Sequence, residues 1–287
     1  MNLNILKNID MKKKNLVILT MMVAFLLVAN NLFAQKHYMS INGSYNFGMG
    51  TQSLHYFDFY SYTNVNDVLT FEQNFVSLGK GFSAGLNYGY MFTDNIGVDL
   101  GVSFLLSDKA KAKDIYPVGT TDYFLSSKMG HIVPSAVFAT SFQKVNPYAK
   151  IGPIIGYGFV EYEKNINDSA YMSKTIMKLN GGISLGLSSE LGVKYKISEQ
   201  ISIFGQMSVN ALTYSPNKGE VTKATYNEAD ILPDMQRYER EIEYVNSYSF
   251  NENAAIDYTQ PRKVLKQHLP FGSIGVNAGI IINFNSR

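Results

Sequence analysis

Four ionisable side chains are the residues best placed to do chemistry. Asp99, Lys150, Glu190 and Lys194 each sit among same-face neighbours that are mostly Gly, Ser or other polar types. A charge withdrawn from water must be neutralised by a partner, so Asp99 and Glu190 are expected to face Lys150 and Lys194. Counted from the nearest turns, Asp99, Lys150 and Lys194 share one level and Glu190 lies one step higher. Such a network can plug a channel, or gate ions or protons. The four histidines are scattered without the spacing of a metal site. His131 and Ser135 share a strand face, but four residues at 3.3 Å each put them roughly 13 Å apart. That is beyond the hydrogen bond that activates a serine. Nothing pairs Ser126, Ser127 and His268 by spacing either. No catalytic, cofactor or metal site is therefore expected.

A two-residue alternation sets the elements that must position these residues. From Phe82, every second residue is apolar or aromatic: Phe82, Ala84, Leu86, Tyr88, Tyr90 and Phe92. Gly81, Ser83, Gly85, Asn87, Gly89 and Met91 lie between them. After the turn Thr93-Asp94-Asn95, Ile96, Val98, Leu100, Val102, Phe104 and Leu106 oppose Gly97, Asp99, Gly101 and Ser103. Side chains alternate faces along a strand, so this is a hairpin with one apolar and one small, polar face. A face turned to bulk water would carry Lys, Glu and Thr; Gly, Ser and Asn suit a confined interior. Each arm is about 11 residues, the length a tilted strand needs to cross a bilayer core.

The same alternation recurs over 37–50, 129–142, 148–159, 179–197, 201–211 and 273–284. Short turns near 94, 145 and 199 alternate with long connections at 51–78, 108–127, 162–175 and 215–268. The pattern predicts an all-β fold, an eight-stranded antiparallel up-and-down transmembrane β-barrel with short periplasmic turns and long extracellular loops. A barrel of that size holds only its own side chains, so Tyr38, Tyr148, Phe204 and Phe271 are expected to help fill the lumen. Pro134 and Pro153 fall mid-strand, where each removes a ladder donor, and bulges are expected there. Within the last loop, residues 232–244 suit a short helix with Pro233 in its first turn.

The front of the chain carries export features. Met11-Lys12-Lys13-Lys14 is a cationic segment, Leu16 to Ala29 an apolar one, and Ala34/Gln35 a plausible cut. Residues 1–34 therefore read as a signal peptide with an N-terminal extension, and 35–287 as the barrel domain. Of 25 Lys+Arg and 23 Asp+Glu, the leader holds Lys7, Lys12, Lys13, Lys14 and Asp10, which leaves 21 against 22. A net charge of −1 argues against a nucleic-acid partner. The absence of cysteine excludes a disulfide scaffold and thiolate metal sites. Twenty Tyr and 18 Phe suit aromatic girdles at two membrane interfaces. No stretch after the leader is apolar for long enough to form a transmembrane helix.

Three features together, Phe33-Ala34-Gln35, the Gly-rich alternating strands and the closing Ile280-Ile281-Ile282-Asn283-Phe284, resemble the outer-membrane β-barrel domain family of Gram-negative bacteria. The nearest pattern is the OmpA/OmpX-like eight-stranded group, with its porin-family and PorT-like members, over about residues 36–284. The resemblance implies a location in the bacterial outer membrane, contact with its lipid and handling by the barrel-insertion machinery. It also implies a structural or surface-interaction role, with a protein or host-surface partner reached through loops 51–78 and 215–268. Two alternatives follow from it: an accessory barrel of a secretion system, and a lipid-modifying enzyme with His and Ser at the rim.

Overall fold

A computed structural model describes residues 36–50, 52–53, 60–65, 68–140, 142, 144–249 and 255–285. The leader at 1–34 lies outside the described residues. Eight strands pair in a ring: β1 (Lys36–Gly48), β4 (Gly81–Met91), β5 (Ile96–Ser107), β7 (Gly119–Ala139), β8 (Val145–Asp168), β10 (Ile183–Lys196), β11 (Ile201–Tyr214) and β15 (Ser273–Asn285). Every neighbouring pair is antiparallel, and β15 pairs back onto β1 along its whole length. No helix among the described residues is long and apolar enough to cross a membrane.

The alternation has the predicted sense. Ile41, Leu86, Leu100, Val102, Leu187 and Ile280 are about half exposed on the outside. Ser40, Ser44, Ser184, Ser188, Ser202 and Asn277 are buried inside. His37, Tyr88, Tyr90 and Phe92 cluster at the short-turn end, and Tyr45, Phe47 and Phe82 at the other. Aromatic rings of this kind suit the two membrane–water boundaries.

The polarity inverts part-way up the longest strands. In the lower half of β7, Ile132 and Phe138 point outward while His131 and Ser135 are buried inside. Nearer its start, the inward residues of the same strand are Tyr123, Leu125 and Met129, all buried, and Asp122 and Lys128 face out. β8 changes at the same level, with Val160 and Tyr162 inward. Above that line these two strands are built like those of a water-soluble sheet, with large apolar residues inward and Asp122 and Lys128 outward.

That upper region corrects the expectation of long loops. The segment 108–127 is β6 (Ala110–Tyr116) and the first part of β7, and 162–175 is the end of β8 turning into β9 (Met172–Asn180). Residues 215–268 include β12 (Lys218–Tyr226), β13 (Glu241–Val245) and β14 (Arg262–Leu265); residues 51–78 include β2 (Tyr60–Val65) and β3 (Val68–Gln73). The expected helix shrinks to a 3₁₀ turn, Leu232–Asp234, and one α turn, Arg237–Arg240, before β13 begins. These strands continue the barrel wall upward in the order β3, β2, β6, β7, β8, β9, β12, β13, β14.

Two further readings change. The stretch 179–197 is two strands, because Gly181 takes φ of 82° and breaks it. The register against β8 moves by one residue there, from Val160↔Leu179 to Tyr157↔Ile183. A one-residue slip exchanges faces, so Leu179 is buried inside the upper core while Ile183 faces outward. Pro134 and Pro153 make no bulge, since β7 and β8 keep one register on both sides of them.

The inversion dates the membrane boundary residue by residue. Val102→Arg, below it and outward-facing, should cost about 2–4 kcal/mol. Ser126→Arg, outward on β7 but above it, should stay within about 0.5 kcal/mol. Urea unfolding midpoints in lipid vesicles measure both; equal costs would misplace the boundary.

Candidate functional site

Inside the barrel, Lys150 stands between two acids. Its Nζ is 3.0 Å from Asp99 Oδ2 and 3.8 Å from Glu190 Oε2. Only the first is a hydrogen bond; the second is an ion pair without one. Lys150 and Glu190 are direct cross-strand partners on β8 and β10, so they share a level, contrary to the count from turns. Tilted strands are staggered in a barrel, and residues equidistant from different turns need not be level. The Asp99 side chain is 1 % exposed and accepts two more bonds, from Tyr38 Oη at 2.6 Å and Asn87 Nδ2 at 2.8 Å. Lys194, the expected fourth member, lies nearer the short-turn end and lines a vestibule below the network.

Two glycines make room for this layer. A Cβ on Gly89 would sit 2.0 Å from the Tyr38 ring, and one on Gly192 would sit 2.6 Å from the Tyr148 ring. Gly89 is the cross-strand partner of Asp99, so the missing side chain is what lets Tyr38 reach the carboxylate. Tyr148 in turn donates to Gln206 Oε1 at 2.6 Å. Tyr38 and Tyr148 therefore fill space, as expected, and Tyr38 also fixes the Asp99 carboxylate. Asn87 and Gln206 were not singled out from sequence. Asn87 was legible in principle, since the turn at 93–95 makes it the diagonal neighbour of Asp99 across the hairpin.

The layer divides the lumen. Below it the vestibule, about 270 Å³, opens toward the short-turn end between Phe204, Val137 and Lys196. Above it lies a polar chamber of about 70 Å³ lined by serines, asparagines, His131 and Glu190. His131 Nε2 and Glu190 Oε2 are buried there without a hydrogen-bond partner, and a chamber of this size and polarity has room for waters that would satisfy them. An apolar cap closes the top. Leu78 and Phe271, from the connections before β4 and β15, pack with Leu105, Leu125, Leu212 and Tyr214, all buried. Leu78 N–H donates to the Pro270 carbonyl at 2.9 Å, and Ser127 Oγ to the Leu78 carbonyl at 3.1 Å.

Other candidate residues fall apart. His131 and Ser135 point into the lumen on one strand, paired with Ser103 and Asp99 respectively. Ser127 is used by the cap. His268 is instead brought to Ser215, with Nδ1 and Oγ 2.8 Å apart at the exposed rim. No group of three or more His, Cys, Asp or Glu able to hold a metal occurs among the described residues.

On the upper wall, Glu163 of β8 links β9 and the residue just before β6. It accepts from Lys174 and Asn165, and Lys109 lies 3.5 Å away. Burial pushes its carboxyl up, but the bonds from Lys174 and Asn165 and the charges of Lys174 and Lys109 outweigh this and hold it below its ordinary value.

Residues 22–229 match the family model described as outer membrane protein beta-barrel domain. The match ends before β15, whose pairing with β1 and β11 closes the ring. Among solved structures, the chain aligns with Neisserial surface protein A (NspA) at 12% identity and a TM-score of 0.34, covering 87% of this chain and 97% of that one. It also aligns with Ail, the attachment invasion locus protein of Yersinia pestis, at 9% identity and a TM-score of 0.31, covering 88% and 99%. No curated protein matches the chain.

Lys150→Met leaves two acids buried without their cation and should cost about 3–5 kcal/mol. Adding Asp99→Asn and Glu190→Gln should recover most of that loss, read as urea midpoints; an unchanged single variant would refute the network. The depressed Glu163 carboxyl stabilises the upper wall above its unfolded pKa, and this contribution is lost as pH falls through the lower folded value. The protection of β9 amides against exchange, taken relative to the intrinsic rate at each pH, should fall on acidification, and Glu163→Gln should remove that fall.

Proposed function

We infer that this chain, which belongs to the outer membrane protein β-barrel domain family, serves as a sealed barrel that holds an ordered sheet at the cell surface for contact with a partner. The supporting observation is the upper wall. Strands β6, β9, β12 and β13 extend the barrel beyond the polarity inversion and share a buried core of Leu125, Val160, Tyr162, Leu179 and Ile242. Ordering so much chain costs conformational entropy, and a mere connection between two membrane strands does not require it. The lumen, closed by an ionic layer and an apolar cap, speaks for a non-conducting barrel. The reading includes export through a leader ending near Ala34, and insertion by the barrel-assembly machinery. A partner protein or host surface would meet residues 51–78 and 215–268.

A rim enzyme acting on lipid is the second reading, favoured by the Ser215–His268 contact, which is within the reach a serine needs from its base. Intact cells separate the two. Replacing residues 218–265 by a short Gly/Ser linker should leave a heat-modifiable barrel and abolish adhesion to host cells or matrix protein, while Ser215→Ala leaves outer-membrane lipid unchanged. Adhesion that survives the deletion, or stable large conductance in planar bilayers, sinks the first reading. A lipid change that disappears in Ser215→Ala selects the second.

A further inference from the structure

The seam between β7 and β8 departs from the pairing the rest of the ring obeys. Bridging runs from Tyr148↔Ala139 to Ile151↔Ala136, stops, and resumes from Ile155↔Ile132 to Asp168↔Gly119 in the same register. The missing rungs are Gly152, Pro153 and Ile154 opposite Ser135, Pro134 and Val133. Continuing the register sets Pro134 and Pro153 directly opposite each other. In an antiparallel ladder, alternate opposed residues exchange two N–H···O bonds, and proline has no N–H to give. If the two prolines occupy such a pair, both bonds are lost, and with them the one rung they form and the two they flank. That is the gap observed. The other edges stay intact: Pro134 remains in register with Leu100 on β5, and Pro153 with Leu187 on β10.

The gap has a shape. On the outer wall it opens into a crevice of about 470 Å³ lined by Tyr88, Val98, Leu100, Ile151 and the two prolines. Asp99, Ser135 and Gly152, whose side-chain positions belong to the inner face, also border it, while a Cβ on Gly152 would meet the Pro134 carbonyl and the Ser135 Cα, so the two backbones stay side by side across the missing rungs. Its height is fixed by β5. Ile96 and Val98 lie exposed below Leu100, and Val102, Phe104 and Leu106 lie exposed above it. A crevice so placed in an outer-membrane barrel lies in the hydrocarbon layer and borders the aromatic girdle of the short-turn end, to which its lining residues Tyr88 and Tyr90 belong.

We propose that the β7–β8 proline seam is a binding crevice for one acyl chain of an outer-membrane lipid. A chain in the crevice touches wall on several sides, whereas one against the convex belt touches it on one, and dispersion contacts add with each neighbour. The unstitched strands are held there by packing alone, so they can separate to admit it. Rungs above and below keep the opening local.

The test uses the full barrel refolded into vesicles doped with a phospholipid bearing a diazirine in one acyl chain. After irradiation, adducts are mapped by mass spectrometry. Labelling of Leu100 and Ile151 should exceed several-fold that of Ile41 and Ile280, which lie on the opposite wall and are exposed to a similar extent. Pro134→Val/Pro153→Val restores both donors, and should bring the excess down to the level of the belt. Ala136→Phe, which fills the crevice and leaves the prolines, should do the same; heat-modifiable migration verifies that each variant is folded. Uniform labelling around the belt, or an excess that survives either folded variant, overturns the proposal.

Discussion

A strand in hydrocarbon has no water to satisfy its backbone, so every N–H and C=O at that depth must find a partner in the sheet. The ring from β1 to β15 and back to β1 is the solution this chain adopts, and most of its architecture follows. Closure removes the free edges. It fixes which residues face lipid and which face inward, because the side-chain period is two. Gly181 shows how strict the condition is. Where β9 gives way to β10 the register against β8 slips by one, and Leu179 and Ile183, of the same parity, end on opposite faces. The slip falls near the level where the exterior changes from apolar to polar, so both regions present the correct face to their surroundings.

Closing eight strands also defines what the inside can be. The space is too narrow to stay open and too wide for serine and glycine alone, so rings enter from one strand over glycines on the next, as Tyr38 does over Gly89. A charge in that space needs a partner. Lys150 has two, and Asp99 is further held by Tyr38 and Asn87. Buried ion pairs of this kind add little net stability compared with apolar packing. The Asp99–Lys150–Glu190 layer is better understood as a seal and a fixed register between strands far apart in sequence. The apolar cap at Leu78 and Phe271 is a second layer of different chemistry across the same lumen.

The membrane-spanning part was legible in sequence because lipid imposes a pattern with a short period on every strand. Phe82 to Leu106 announced its hairpin, its turn and its two faces without reference to the rest of the chain. Asp99, Lys150 and Glu190 were identifiable as charges on the inward face, but their levels depend on barrel stagger, which no single strand records. Above the membrane the lipid constraint ends. The strands β6 and β12 within 108–127 and 215–268 alternate too, yet with Lys111, Lys113, Lys218 and Glu220 outward and Ala112, Val221 and Ala224 inward, a pattern that polar composition disguises as loop. The Ser215–His268 contact joins residues 53 positions apart and follows from how those segments fold back on the rim. Pro134 and Pro153 were each visible as misfits; that they face each other is a property of the pairing alone.

The seam also clarifies why the upper wall and the barrel are one piece. An unpaired interval inside a membrane sheet is tolerable only if it cannot spread. Below it, β7 and β8 are tied from Tyr148↔Ala139 to Ile151↔Ala136, close to the short turn that joins them. Above it, the same two strands stay paired from Ile155↔Ile132 through the polarity inversion to Asp168↔Gly119. There Leu125, Val160 and Tyr162 pack into a core that needs no lipid. The sheet beyond the membrane thus clamps the weak interval within it. The two longest strands of the ring are the two that carry the prolines, which is the arrangement expected if length above the membrane offsets lost hydrogen bonds inside it.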